Sequence, residues 1–142
     1  MPAASLNRFN VFTQDLDKGN HQIGTHNFKF MLTNTLPVAT NAVKADITEI
    51  SAGNGYSAGG AATTVTRANS SGVDKVSGTA VTVTASGGSI GPFRYVVLYN
   101  DSQTSPVKPL VGWYDYGASI TLNDTETLTI TPDATNGLFT VG

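Results

Sequence analysis

The chain has 142 residues, no cysteine, 13% charged residues and a formal net charge of −2. That length suits one domain able to bury roughly two-thirds of its unfolded surface without cross-links, and the missing cysteine excludes a disulfide framework, a thiol nucleophile and thiolate metal sites. No basic cluster supplies the electrostatic attraction that drives nucleic-acid binding, so no nucleic-acid partner is expected.

Residues 1–8 lack the basic start and apolar core of a secretory signal, and no apolar run approaches a membrane span. The expectation is a soluble chain made in a cytoplasm, with no membrane partner. Leu6, Phe9, Phe12 and Leu16 recur at helical spacing with Gly19 just beyond, which predicts a short amphipathic helix with a glycine C-cap, or an N-terminal arm packed on a neighbour. Residues 27–33 alternate, Phe28, Phe30 and Leu32 against Lys29, Met31 and Thr33, as in a strand half buried against the core. Leu36 and Pro37 break it. Residues 45–50 fit either a helical turn or a short strand, and the Gly-rich residues 51–62 read as a surface loop.

Residues 63–67 are β-branched enough for a strand, with a turn over 68–72. Residues 79–85 place Val81, Val83 and Ala85 on one face. A Gly-rich bend at 86–92 then leads into 93–99, where Phe93, Tyr95, Val97 and Tyr99 alternate with Val96 and Leu98. A run apolar on both faces wants cover on both, so this is the expected central strand. Asn100 and Asp101 end it, a polar loop holds Pro106, and residues 110–116 form its antiparallel partner, carrying Trp113, Tyr114 and Tyr116. Gly117 is read as a turn into a strand at 119–122, followed by strands at 126–131 and 138–141. Eight or nine short strands separated by turn signals predict an all-β single domain, a jelly roll or β-sandwich over 27–142, preceded by a short helix or arm over 1–26.

No catalytic signature is present, and the chain is read as a non-enzyme without cofactor or metal. His21 and His26, with Asp15 and Asp17 nearby, are too few for a zinc site and are expected to be solvated loop residues. Asp124 and Glu126 read as a turn residue and a solvated strand residue rather than a glycosidase pair. Gly53, Gly55, Gly59 and Gly60 lack the spacing and the strand-to-helix context of a phosphate-binding loop. The constellation that remains is aromatic: Tyr95, Tyr99, Trp113, Tyr114 and Tyr116 on two strands expected to pair. Because Trp113 and Tyr114 must face opposite ways, at least one is expected outside the core, covered by protein or by a sugar ring.

Residues 32–37, 45–56, 85–101, 108–117 and 122–131 together resemble, in the same order, the small cement (decoration) proteins of tailed-bacteriophage heads. The resemblance implies a jelly-roll virion protein on the outer surface of the capsid, binding the major capsid protein, acting as a homodimer and clamping neighbouring subunits against internal pressure. The aromatic strands at 93–99 and 110–116, with Tyr95, Tyr99, Trp113, Tyr114 and Tyr116, are the candidate dimer or shell interface for such a protein. The loop holding Asn54 and Tyr56, and the N-terminal segment, are likewise candidates for touching the shell. A carbohydrate-binding or tail-fibre module is the alternative, with Trp113 as its sugar platform.

Overall fold

The eleven-residue strand β7 (Ile90–Asn100) is the axis of the molecule. In this computed structural model, which describes residues 6–142, β7 lies between two antiparallel neighbours. On one side is β2 (Phe28–Thr33) and on the other β8 (Leu110–Leu122). Two short strands close the sheet, β1 (Asn7–Arg8) beyond β8 and β3 (Ala61–Thr63) beyond β2, for an order β1-β8-β7-β2-β3.

Two smaller antiparallel sheets pack over one face of this sheet. One joins β4 (Val65–Ser70), β5 (Val73–Gly78) and β10 (Phe139–Val141), with β5 in the middle. The other pairs β6 (Val81–Thr84) with β9 (Thr127–Ile130). The core between the layers takes Phe28, Phe30, Leu32, Phe93, Val96, Leu98, Val111 and Tyr114 from the large sheet. It takes Val65, Val76, Val81, Val83, Leu128, Ile130 and Phe139 from the other two. Burial of each such side chain contributes roughly 1.5–3 kcal/mol before the cost of ordering it. The chain is therefore an all-β, sandwich-like single domain with one short helix, as its turn-punctuated alternation predicts.

The opposite face of the large sheet is also dry. Phe9, Met31, Val97, Tyr99 and Leu110 form a second buried cluster, flanked by Val11, Ile47 and Trp113. Its cover comes from the same chain. Residues 7–9 run along β8, with the Phe9 amide bonded to the Val111 carbonyl at 3.1 Å, and Asn10 N–H bonds Ala39 O at 2.9 Å in the loop after β2. β2 is therefore covered on both sides, Met31 and Thr33 being fully buried, rather than half buried.

The helix α1 (Val11–Asp17) begins later than the spacing of Leu6, Phe9 and Phe12 suggests. The residues before it gain more from pairing with β8 than from another helical turn. Phe12 enters the main core against Phe139, ring centroids 4.8 Å apart, so the N-terminal segment supplies side chains to both clusters. The first five residues of the expected arm lie outside the described residues. Residues 44–46 form a single 3-10 turn. No described helix is long and apolar enough to cross a membrane.

Several strand boundaries differ from the reading above: the strand expected at 63–67 is split at Thr64 between β3 and β4, and β7 starts at Ile90, inside the expected bend. β4 runs on to Ser70 and pairs without interruption with β5, through a two-residue turn at Ser71 and Gly72, both at positive φ. β5 had no expected counterpart, because Val76 is its one fully buried side chain. β8 passes straight through Gly117, which marks an irregularity opposite Phe93–Tyr95 of β7 and not a turn. That irregularity moves Phe93 out of alternation with Val97 and Tyr99 and into the main core with Val96 and Leu98.

Candidate functional site

Most of the expected interface residues lie inside the molecule. Tyr95, Tyr99 and Tyr114 are buried, and only Trp113 and Tyr116 keep partial exposure. Trp113 and Tyr114 do face opposite ways, but each face already has intrachain cover: Trp113 lies 4.7 Å from the Phe9 ring, and Tyr114 lies 6.3 Å from Phe30 in the main core. Burial pushes the Tyr114 hydroxyl up to about 12, with Asp133 adding to the shift. The paired strands therefore keep only Trp113 and Tyr116 of these aromatics partly accessible. Where β7 and β8 are irregular, Arg94 makes a two-pronged ion pair with Asp115 at 2.9 and 3.2 Å, the guanidinium standing 5.4 Å from the Tyr95 ring.

Tyr56 is likewise a structural residue. β3 pairs only the first half of β2, which leaves the backbone of Leu32 open at the sheet edge. Residues 49–60 close that edge. The Tyr56 hydroxyl accepts from Leu32 N–H at 3.0 Å and donates to the Glu49 carboxylate, while Ile50 N–H donates to Leu32 O at 3.1 Å. Glu49 also accepts from Gly59 N–H at 2.7 Å and pairs with Lys44 at 3.2 Å, and Tyr99 donates to the Gly59 carbonyl. Burial, then the bond to Glu49, raises the Tyr56 pKa far above the usual phenol range. Gly60 permits the close approach: a Cβ there would sit 1.8 Å from the Phe30 carbonyl oxygen.

Asn54 is exposed, like most of this loop. Its amide donates to Ser89 O at 2.9 Å and its carbonyl accepts from Ser86 N–H at 2.9 Å. Gly87 N–H in turn donates to the Asp124 carboxylate at 3.0 Å, and Glu126 accepts from Asn123 N–H at 2.7 Å. Three loops are thus locked together at one end of the sandwich. Asp124 and Glu126 both tie down the turn between β8 and β9; Asp124 is the turn residue expected, whereas Glu126 lies before β9 and not on it.

His21 is not a solvated loop residue. It is 4% exposed, its ring stands between Phe12 and Phe28, at 5.3 and 6.0 Å, and its Nδ1 faces the Asn100 amide at 3.2 Å. Burial lowers its pKa to about 4, against a smaller opposing pull from Asp15. Among the described residues no group of three or more His, Cys, Asp or Glu could hold a metal ion.

The surface that stands out was not singled out from the sequence. Four large apolar side chains are exposed among the described residues: Leu36, Val38, Val73 and Val107. Three of them lie on two loops, residues 34–43 and 101–109. These loops are joined by a bridge between Val43 and Pro109 and by the Lys44 N–H to Lys108 O bond at 2.9 Å. Val43, Lys44, Ala45, Val107 and Lys108 line an open depression of about 300 Å³ there. Both lysines are already paired, Lys44 with Glu49 and Lys108 with Asp101, so the depression is effectively apolar. Leu36 and Val38 flank a proline, and that apolar run in a break was the available signal. No family model, curated protein or solved structure matches this chain.

Proposed function

We propose that this chain is a structural virion protein, which binds the outer surface of an icosahedral head and clamps neighbouring major capsid protein subunits against internal pressure. The observation that carries the proposal is the exposure of Leu36, Val38 and Val107, at 61, 55 and 60%, on two joined loops of a domain with few charges. Exposed aliphatic side chains on such joined loops favour a protein contact over open water. The ordered resemblance of residues 32–131 to cement proteins supplies the kind of partner. The contact surface moves from the aromatic strands to the loops at 34–43 and 101–109, with Asn54 and its interlocked neighbours as a second exposed feature.

The mechanism is mass action. A ligand that binds the assembled, expanded shell and not its separated subunits stabilises the shell by its binding free energy. Many copies, each touching more than one subunit, add avidity to individually modest contacts. The glycan-binding alternative draws less support, because Trp113 packs on Phe9 and Tyr95, Tyr99 and Tyr114 are internal.

Immunogold labelling of purified virions with antibody against this chain tests the placement. Gold over the whole head is the expected result. Gold confined to the tail tip would overturn the proposal in favour of a fibre module.

A further inference from the structure

β4 is an edge strand with no cover. Its partner β5 occupies one side, and among the described strands none pairs with the other. Residues 66–70 are exposed one after another, so the strand is open on both faces as well as along its edge. At six residues it is longer than the other outermost strands, which have two to four. It also lacks the devices that usually blunt an edge: it has no proline, its register with β5 is unbroken, and its single charge is Arg67. A regular free edge of this kind is a template for strand addition.

We propose that the β4 edge pairs with the β4 edge of a second copy, antiparallel about a two-fold axis at Ala68, making a six-stranded sheet β10-β5-β4-β4-β5-β10. Three constraints select this register. An axis perpendicular to the sheet keeps each side chain on its own face, and residues directly opposite share a face, so the axis must pass through a residue and not between two. Ala68 is the midpoint of the exposed run. Charge decides among the neighbouring choices. An axis at Arg67 would set the two arginines against each other, whereas an axis at Ala68 sets Arg67 opposite Asn69 of the partner subunit.

Asn69 bonds Asp74 on β5 at 2.7 Å, so each Arg67 would approach an amide held by a carboxylate across the seam. In the single chain Arg67 makes a 3.4 Å contact with Asp74, and its side chain is 62% exposed. The seam thus complements a charge that one copy satisfies poorly. It uses none of the surface assigned to the shell, so one copy can make both contacts. The inference stands whether or not the shell reading holds.

Sedimentation analysis of the free chain, without particles, tests it. The wild-type chain should associate to a dimer. Asn69→Lys can still pair with Asp74 within its own chain but meets Arg67 of the partner subunit, and should weaken association roughly tenfold through two equivalent like-charge contacts. The double variant Arg67→Glu, Asn69→Lys restores opposite charges across the seam and should recover association. Circular dichroism and thermal melting check that both variants are folded. A chain that stays monomeric at millimolar concentration overturns the proposal, as does an Asn69→Lys dimer of unchanged affinity. Loss without recovery in the double variant overturns the register.

Discussion

Trp113 and Tyr114 are adjacent on β8 and end in different hydrophobic clusters, Trp113 against Phe9 on the outer face and Tyr114 against Phe30 in the inter-sheet core. The large sheet is therefore dry on both faces. Its outer cover is the N-terminal segment with Ile47 beside it, and that segment bonds the loop after β2, which carries the exposed Leu36 and Val38, from Asn10 N–H to Ala39 O. The segment that seals the sheet is thus also tied to a loop of the proposed contact surface.

Phe9→Ala should cost about 3–5 kcal/mol, the range for emptying a buried phenylalanine site, since Phe9 is 2% exposed. Trp113 is the sole tryptophan, so its emission reports the same event. Urea unfolding should show the loss, and the native emission should shift to the red. A native spectrum and midpoint equal to wild type would mean that Phe9 does not seal this face.

Tyr56→Phe removes one hydroxyl and leaves the Leu32 amide without its partner and Glu49 with one donor fewer. A buried donor left unmade costs about 1–3 kcal/mol. Amide exchange at Leu32 should accelerate more than at Phe30 or Val96, where the strand ladders are intact. Uniform acceleration across β2 would point to general loosening and not to an opened edge.

His21 should make stability depend on pH. Its pKa is lowered to about 4 in the fold by burial, from an ordinary value of 6.5, so between those values the unfolded chain binds more protons. Its neutral form is accommodated fully above pH 6.5. Stability is lost as pH falls from 6.5 towards 4, by up to about 1.4 kcal/mol per unit. Asp15 and His26 are the charged or titratable neighbours acting on it. Unfolding free energies at pH 7.5 and 5 should therefore differ less in His21→Leu than in wild type. Equal differences in the two proteins would show that this histidine does not carry the effect.

Val107→Glu and Leu36→Glu should fold normally, because both side chains are exposed. Each would place a carboxylate where a shell contact excludes water. An unpaired charge there costs several kcal/mol, so particle binding should weaken roughly tenfold or more. Co-sedimentation with particles lacking the chain measures this, and Thr82→Glu on the exposed side of β6 serves as the control. Equal losses in all three variants would indicate a nonspecific charge effect.

The strands β2, β6, β7 and β9 were legible because their apolar residues alternate, and the all-β class follows from the turn signals between them. β5 was not, because a ribbon open along most of its length needs only Val76 inside and leaves no period to read. The role of Phe9 was hidden by spacing that also fits a helix, and pairing with β8 overrode it. The irregularity opposite Arg94 broke the alternation on which the position of Phe93 had been judged. The aromatic residues drew notice as surface candidates because local pattern shows which way a side chain points and not what already lies there. The loops that carry Leu36, Val38 and Val107 are joined only in the folded chain, at the Val43–Pro109 bridge.

The central claim is that the chain clamps an assembled shell, and the direct measurement is thermal genome release from otherwise identical particles with and without it. Dye-reported release should begin at a lower temperature in particles lacking the chain and return towards the original value when purified chain is added back. Equal release temperatures, with the chain shown to be bound, would contradict the clamping account.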